Sequence, residues 1–207
     1  MDYKAPHALF GNGPEPLHSI IKERLKLIKT FFCVDGGADK LIQMGYTPDI
    51  ILGDMDSVTQ KREQYNCKIV PLENQSQNDM EKSLSWCVDN GIKELDLFGF
   101  SYGRDDQHLA SLIIMKNYSD RIKMKMYTEN SLIFCINDHT TFPSLPDQTI
   151  SLITLNRPTK ISTNGLKYSL DNEVLNSPGH GISNAANGTN FSVHPSDWVW
   201  VIMNYIQ

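Results

Sequence analysis

The feature that most constrains this chain is a repeated device: a short apolar run ends in glycine or Asp-Gly, and residues with helical spacing follow. Ala8–Phe10 runs into Gly11-Asn12-Gly13, Phe31–Val34 into Asp35-Gly36-Gly37, Asp49–Leu52 into Gly53-Asp54-Met55-Asp56-Ser57, and Leu95–Phe98 into Gly99. Leu17–Ile28 places apolar residues at 17, 20, 21, 25 and 28, one stripe of a helix. Ala38–Met44, Asp79–Val88 and Gln107–Met115 give further helices, and Lys68–Val70, Lys123–Tyr127 and Leu132–Ile136 further strands. Strand–helix alternation of this kind predicts an α/β layer with a mostly parallel sheet. In such sheets ligands sit at the carboxyl ends of the strands.

The texture changes near Asn137, where NDHTTFPSLPDQT is rich in turn formers and reads as a linker. Beyond it lie short runs with β patterning, Ile150–Leu155, Lys167–Leu170, Asn190–Val193 and Trp198–Met203, separated by Gly, Pro, Asn and Ser. The expected organisation is an α/β domain over residues 1–137 and a small all-β domain over 138–207. The second is too small to be comfortable alone, so it is expected to pack on the first, on a partner subunit, or on both.

Charge narrows the function. With 19 basic and 24 acidic side chains the formal net charge is −5, which lacks the electrostatic footprint of a nucleic-acid or anionic-membrane binder. If the chain handles phosphates, a metal or a few local cations must supply positive charge. No apolar run approaches the roughly 20 residues that span a bilayer, and no signal peptide is visible at the N-terminus. Cys33, Cys67, Cys87 and Cys135 form no CxxC pair, and three lie in apolar runs, as expected of buried thiols in a reducing, cytoplasmic setting.

Four strand-end loops carry the chemistry-bearing residues. Asp54 and Asp56, two residues apart after Gly53, suit a hard cation through oxygen ligands, or one of them caps the next helix. Asp35-Gly36-Gly37 suits an anion at a helix N-terminus, or a tight turn capped by Asp35. In Gln75-Ser76-Gln77-Asn78-Asp79, Asn78 or Asp79 can cap a helix that carries Lys82 one turn in. Gly99–His108 offers Arg104 to a phosphate and Asp106 to a metal, or the two simply pair. In the β region, an aromatic at Tyr168 and the Ser183-Asn184 pair can hold a flat heteroaromatic ring, or serve only as turns. Together the acidic loops would cluster on one sheet edge, as metal-dependent phosphoryl-group transfer requires.

The ordered string DGGADKL, PDIILGDMDS, QxxND, GRxDQ, TNGLKYSL and GISN, over residues 35–184, resembles the thiamine pyrophosphokinase family. The resemblance implies a Rossmann-like nucleotide-binding domain followed by a β-sandwich. It also implies a homodimer with active sites between subunits, and the reaction ATP + thiamine → thiamine diphosphate + AMP. By the same resemblance, Asp54, Asp56 and Asp79 hold Mg²⁺, and Arg104 and Asp106 act at the transferring group. Asp35, Gly36, Gln75, Asn78, Lys82, Gln107 and Asn130 contact the substrates, and Tyr168, Ser183 and Asn184 meet thiamine. Asn78 departs from the family's usual Thr, Tyr168 from its frequent Trp, and Tyr102 from a small residue. Two other readings are a different phosphotransferase on the same scaffold and a non-catalytic thiamine or nucleotide sensor.

Overall fold

The apolar runs of the first half become strands of one sheet. The structure, a computed structural model, describes residues 3–15, 17–53, 65–72, 76–101, 103–155 and 158–206. The chain divides into two compact units, Met1–Glu129 and Asn130–Gln207.

In the first unit, β1 (His7–Phe10), β2 (Thr30–Val34), β3 (Ile50–Leu52), β4 (Lys68–Val70), β5 (Glu94–Phe98) and β6 (Lys123–Tyr127) pair in the order β6-β5-β1-β2-β3-β4, all parallel. Residues of β2 are buried throughout, as expected of a parallel strand covered on both faces. The helices are α1 (Ser19–Leu25), α2 (Gly37–Gln43), α3 (Asp79–Asp89) and α4 (Asp105–Tyr118). Helix α1 is shorter than the apolar stripe suggests, because Leu27 and Ile28 turn back onto Arg24 and Leu25 through i→i−3 bonds. Asn78 caps α3 by accepting from the Glu81 amide at 2.9 Å, an Asn-x-x-Glu start. The helix stops where Gly91 takes φ of 79° and the Ile92 amide reaches back to the Cys87 carbonyl, a Schellman ending.

From β1 the chain steps outward through β2, β3 and β4, then crosses back to lay β5 and β6 on the other side of β1. The reversal falls between β1 and β5, and such a switch point opens a crevice at the carboxyl ends of the strands. Arg24 of α1 bonds Asp96 in mid-β5 at 2.5 Å, tying that helix to the sheet.

The second unit contains β7 (Ser131–Ile136), β8 (Thr140–Pro143), β9 (Thr149–Thr154), β10 (Lys160–Asn164), β11 (Glu173–Val174), β12 (Asn184–Ala185), β13 (Asn190–Pro195) and β14 (Val199–Asn204). They form two antiparallel layers, β12-β9-β14-β7 and β11-β10-β13-β8. Between them lies a core that includes Phe142, Ile150, Leu152, Ile161, Phe191 and Val201, with the Phe142 and Phe191 rings stacked at 5.2 Å. This is a β-sandwich.

Two sequence expectations for this half need correcting. Lys167–Leu170 is not a strand: Leu166 forms an isolated bridge to Ala186, and the Lys167 amide donates to the Ala185 carbonyl. The strand lies earlier, at Lys160–Asn164, where β-branched Ile161 and Thr163 pair with β13. The turn-rich stretch after Asn137 also contains β8, and β7 belongs with β14 by six paired residues from Ser131–Asn204 to Ile136–Val199. Asn and Pro there mark strand ends rather than a free linker. All four cysteines are free thiols, with Cys33, Cys87 and Cys135 buried and Cys67 partly so. No helix among the described residues is long and apolar enough to cross a membrane.

Candidate active site

A cavity of about 460 Å³ opens in the first unit, and its walls come from the loops on either side of the switch point. Asn12, Gly13 and Pro14, just after β1, form one wall, and Gly99, Phe100, Gly103 and Arg104, after β5, another. Val34 at the end of β2, Asn78, Asp79 and Met80 at the start of α3, and Gln107 and Ser111 of α4 complete the lining. Helices α3 and α4 thus turn their N-termini toward it, an arrangement that favours negative charge in a ligand.

The two loops approach each other main chain to main chain. The Gly11 amide donates to the Phe98 carbonyl at 2.7 Å and the Gly13 amide to the Gly99 carbonyl at 2.8 Å. A β-carbon on Gly13 would sit 2.4 Å from the Gly99 carbonyl oxygen, so this wall exists only with glycine.

Among the described residues, the structure brings together Asn78, Asp79, Arg104 and Gln107. Because Asn78 serves as the cap, Asp79 is released from that duty. Its Oδ1 accepts from the buried Lys82 ammonium at 2.6 Å, while the carboxylate stays half-exposed. Lys82 therefore fixes the direction of Asp79 from below. Arg104 and Asp106 pair through two bonds, Nε to Oδ1 at 3.0 Å and Nη2 to Oδ2 at 2.5 Å. The Arg104 guanidinium bonded to Asp106 holds that carboxyl below the usual aspartate range. Asp106 does not line the cavity; it orients Arg104, which does.

Asp35 is buried at the end of β2 with φ of 40°, a left-handed conformation uncommon outside glycine. It does not cap α2: Gly36 holds the N-cap position, with no side-chain cap bond. The Asp35 carboxylate instead lies against Gly53, where a β-carbon would come 1.8 Å from Oδ1. Asp39, in the first turn of α2, accepts a hydrogen bond from the Tyr65 hydroxyl, and both residues are buried. Asp54, Asp56, Gln75 and Tyr102 lie outside the described residues.

In the second unit Tyr168 is exposed and Asn184 pins its backbone from both sides. The Tyr168 amide donates to Asn184 Oδ1 at 3.0 Å, and Asn184 Nδ2 donates to the Tyr168 carbonyl at 2.6 Å. Asn184 thus holds the segment that presents the aromatic ring. Ser183 is exposed, takes φ of 59°, and donates its amide to Ser151 Oγ at 3.1 Å. Asn130 is exposed as well, its carbonyl accepting from the Tyr205 amide.

The residues that sequence reasoning missed are Asn12, Gly13 and Pro14. Their signal was present, since Gly-Asn-Gly-Pro follows the first strand, but only the strand order shows that this loop lies beside β5.

No group of three or more His, Cys, Asp or Glu side chains among the described residues converges on a metal position. Asp79 nevertheless offers a half-exposed carboxylate at the cavity, and carboxylate oxygens are the donors a hard divalent cation takes.

A parallel α/β unit with a cavity at its switch point, followed in the chain by a β-sandwich, defines a class of two-unit α/β–β proteins. Residues 21–127 match the thiamin pyrophosphokinase catalytic domain and residues 138–196 the thiamin pyrophosphokinase vitamin B1 binding domain; the chain belongs to this family. It is 25% identical over 143 residues to thiamin pyrophosphokinase 1 of Caenorhabditis elegans, covering 62% of this chain and 58% of that one. It is 26% identical over 175 residues to thiamine pyrophosphokinase 1 of Oryza sativa subsp. japonica, covering 69% and 66%. The chain thus spans less than two thirds of the length of either relative. The solved thiamine pyrophosphokinase of Bacillus subtilis superposes with a TM-score of 0.81 at 19% identity, over 97% of this chain and 98% of that one, a likeness of fold.

Proposed function

We propose that this protein transfers the pyrophosphoryl group of ATP to the hydroxyethyl oxygen of thiamine, giving thiamine diphosphate and AMP. The observation that carries the reading is the cavity at the switch point, where the N-termini of α3 and α4, Asp79 and Arg104 meet in a chain of this family. The α/β unit receives ATP, and the β-sandwich supplies the thiamine contacts at Tyr168, Ser183 and Asn184.

Arg104 steadies charge on the transferring phosphates. A guanidinium carries more N–H groups than one carboxylate can accept, so pairing with Asp106 orients Arg104 and leaves donors for phosphate. Asp106, with its carboxyl held low, is a weak base at neutral pH, which favours orientation over proton abstraction. Gln107 and Asn78 offer amide groups to the nucleotide, and Lys82 keeps Asp79 directed at the cavity. Mg²⁺, held by Asp79 with Asp54 and Asp56, would supply Lewis-acid polarisation of phosphoryl oxygens and offset the repulsion between ATP and an acidic protein. The reading includes a cytoplasmic setting and a homodimer with its active sites at the subunit interface.

The test is direct. Purified protein is incubated with ATP, Mg²⁺ and thiamine, and the products are separated by chromatography. AMP and thiamine diphosphate in equal amounts are expected. ADP as the nucleotide product would make the protein a simple kinase, pyrophosphate release a nucleotidyltransferase, and thiamine binding without turnover a sensor.

A further inference from the structure

Lys40 is the cation of α2 that the proposed chemistry leaves unused. Its Nζ donates to two successive carbonyls, Asn12 and Gly13, at 2.5 Å each. Those residues belong to the loop after β1 that walls the cavity, yet Lys40 itself does not line it. The contact is long-range in sequence, joining one turn into α2 to the end of the first strand. Burial holds the Lys40 ammonium below the ordinary lysine range, so it sits there against a solvation cost that the two carbonyls offset.

We propose that Lys40 is a positioning residue for nucleotide binding: it locks the Asn12–Gly13 main chain in the conformation that forms the cavity wall. The inference rests on the reading of this cavity as the ATP site. The Gly13 amide is already committed to the Gly99 carbonyl, which fixes the loop on its β5 side. Lys40 fixes the opposite side of the same residues by their carbonyl oxygens. Held from both sides, the loop meets the nucleotide without rearranging, and the ordering cost is met in folding rather than in binding. An ammonium has one donor beyond the two used here, but its surroundings are carbonyls, not phosphate, so its action passes through the loop.

This role predicts a particular kinetic pattern. Lys40→Met keeps the aliphatic stem and deletes the donors; Lys40→Arg restores two parallel donors. In Lys40→Met the KM for ATP and the equilibrium Kd for ATP, measured by calorimetry without thiamine, should both rise by about tenfold, as expected for loss of a charge-assisted hydrogen bond. The kcat and the KM for thiamine should stay near wild type, and Lys40→Arg should recover most of the ATP affinity. Unchanged ATP affinity in a folded Lys40→Met protein would overturn the inference, as would a fall in kcat with unchanged KM. If Lys40→Met does not fold, Lys40→Gln, which keeps a donor to one carbonyl, should show a smaller loss in ATP affinity; wild-type affinity there overturns the inference equally. A wild-type protein that binds ATP but yields other products refutes the proposed reaction and leaves the Lys40 test intact. A wild-type protein that binds no ATP refutes both.

Discussion

Gly13→Ala is the sharpest perturbation of the cavity that the structure offers. Gly13 does not take a positive φ, so alanine imposes no backbone strain of its own, and the effect is purely one of space. The added methyl would lie 2.4 Å from the Gly99 oxygen and 2.8 Å from its carbonyl carbon, where ordinary contact begins near 3.4 Å. The loops must separate by roughly 1 Å, since both Gly99 atoms belong to the main chain and neither can swing away. Gly99 has little room to retreat, because its own β-carbon position is 2.5 Å from the Gly11 oxygen. Separation stretches the 2.8 Å bond from the Gly13 amide. Overpacking together with that bond suggests a loss of about 2 kcal/mol, or a fall in Tm of roughly 4–8 °C for a chain of this size. Gly188→Ala is the matched control: among the described residues beyond its chain neighbours, no atom lies within 4 Å of its β-carbon position, and no positive φ is involved. Thermal melts followed by circular dichroism, with ATP KM measured on each variant, provide the assay. Gly13→Ala should melt lower and bind ATP more weakly, while Gly188→Ala should match wild type. Equal Tm and equal ATP KM in Gly13→Ala would refute the claim that main-chain contact between the two loops builds this wall.

Other outcomes follow from the same geometry. Asp79→Asn should lower kcat by about 100-fold or more while the fold, checked by circular dichroism, survives, because the cap belongs to Asn78 and only the charge facing the cavity and Lys82 is lost. Asn184→Ala removes both bonds that hold the Tyr168 backbone, so the KM for thiamine should rise by roughly tenfold with ATP KM unchanged, in steady-state assays varying one substrate at a time. Burial pushes the Cys33 and Cys87 thiols up, strongly, and Cys67 up less far. A raised thiol pKa leaves less thiolate at a given pH, so in native protein at pH 8 Cys33 and Cys87 should stay unmodified by a thiol reagent. Cys67 should react slowly, and faster as pH rises toward its folded value; peptide mass mapping reads the pattern.

The α/β half was legible because parallel strands buried on both faces are written as uninterrupted apolar runs, and Phe31–Val34 is the clearest case. The sandwich was harder. Its strands alternate inward and outward, so Lys160–Asn164, polar at four residues of five, shows no apolar run, while Lys167–Leu170 resembles a strand. Pairing with β13 decides the matter, and pairing is not written locally. At the cavity, strand-end position points to the loops bearing Asp79 and Arg104, while the roles expected of these residues come from the family resemblance. What the sequence could not show was division of labour: that Asn78 caps so that Asp79 need not, that Asp106 serves Arg104, and that Asn184 serves Tyr168. Each depends on which of several neighbouring polar atoms wins a given partner. The loop after β1 is illegible for a different reason, since its place beside β5 is a property of strand order.

One consequence of the glycine-to-glycine contact between the loops after β1 and β5 concerns how such a pocket can change over time. That contact is peptide bond laid on peptide bond, and Gly11, Gly13 and Gly99 themselves have no side chain for substitution to reshape. Drift in what the pocket admits must therefore come from its rim, at residues such as Pro14, Phe100 and Gln107, whose side chains can grow, shrink or change polarity without prying the two strands apart.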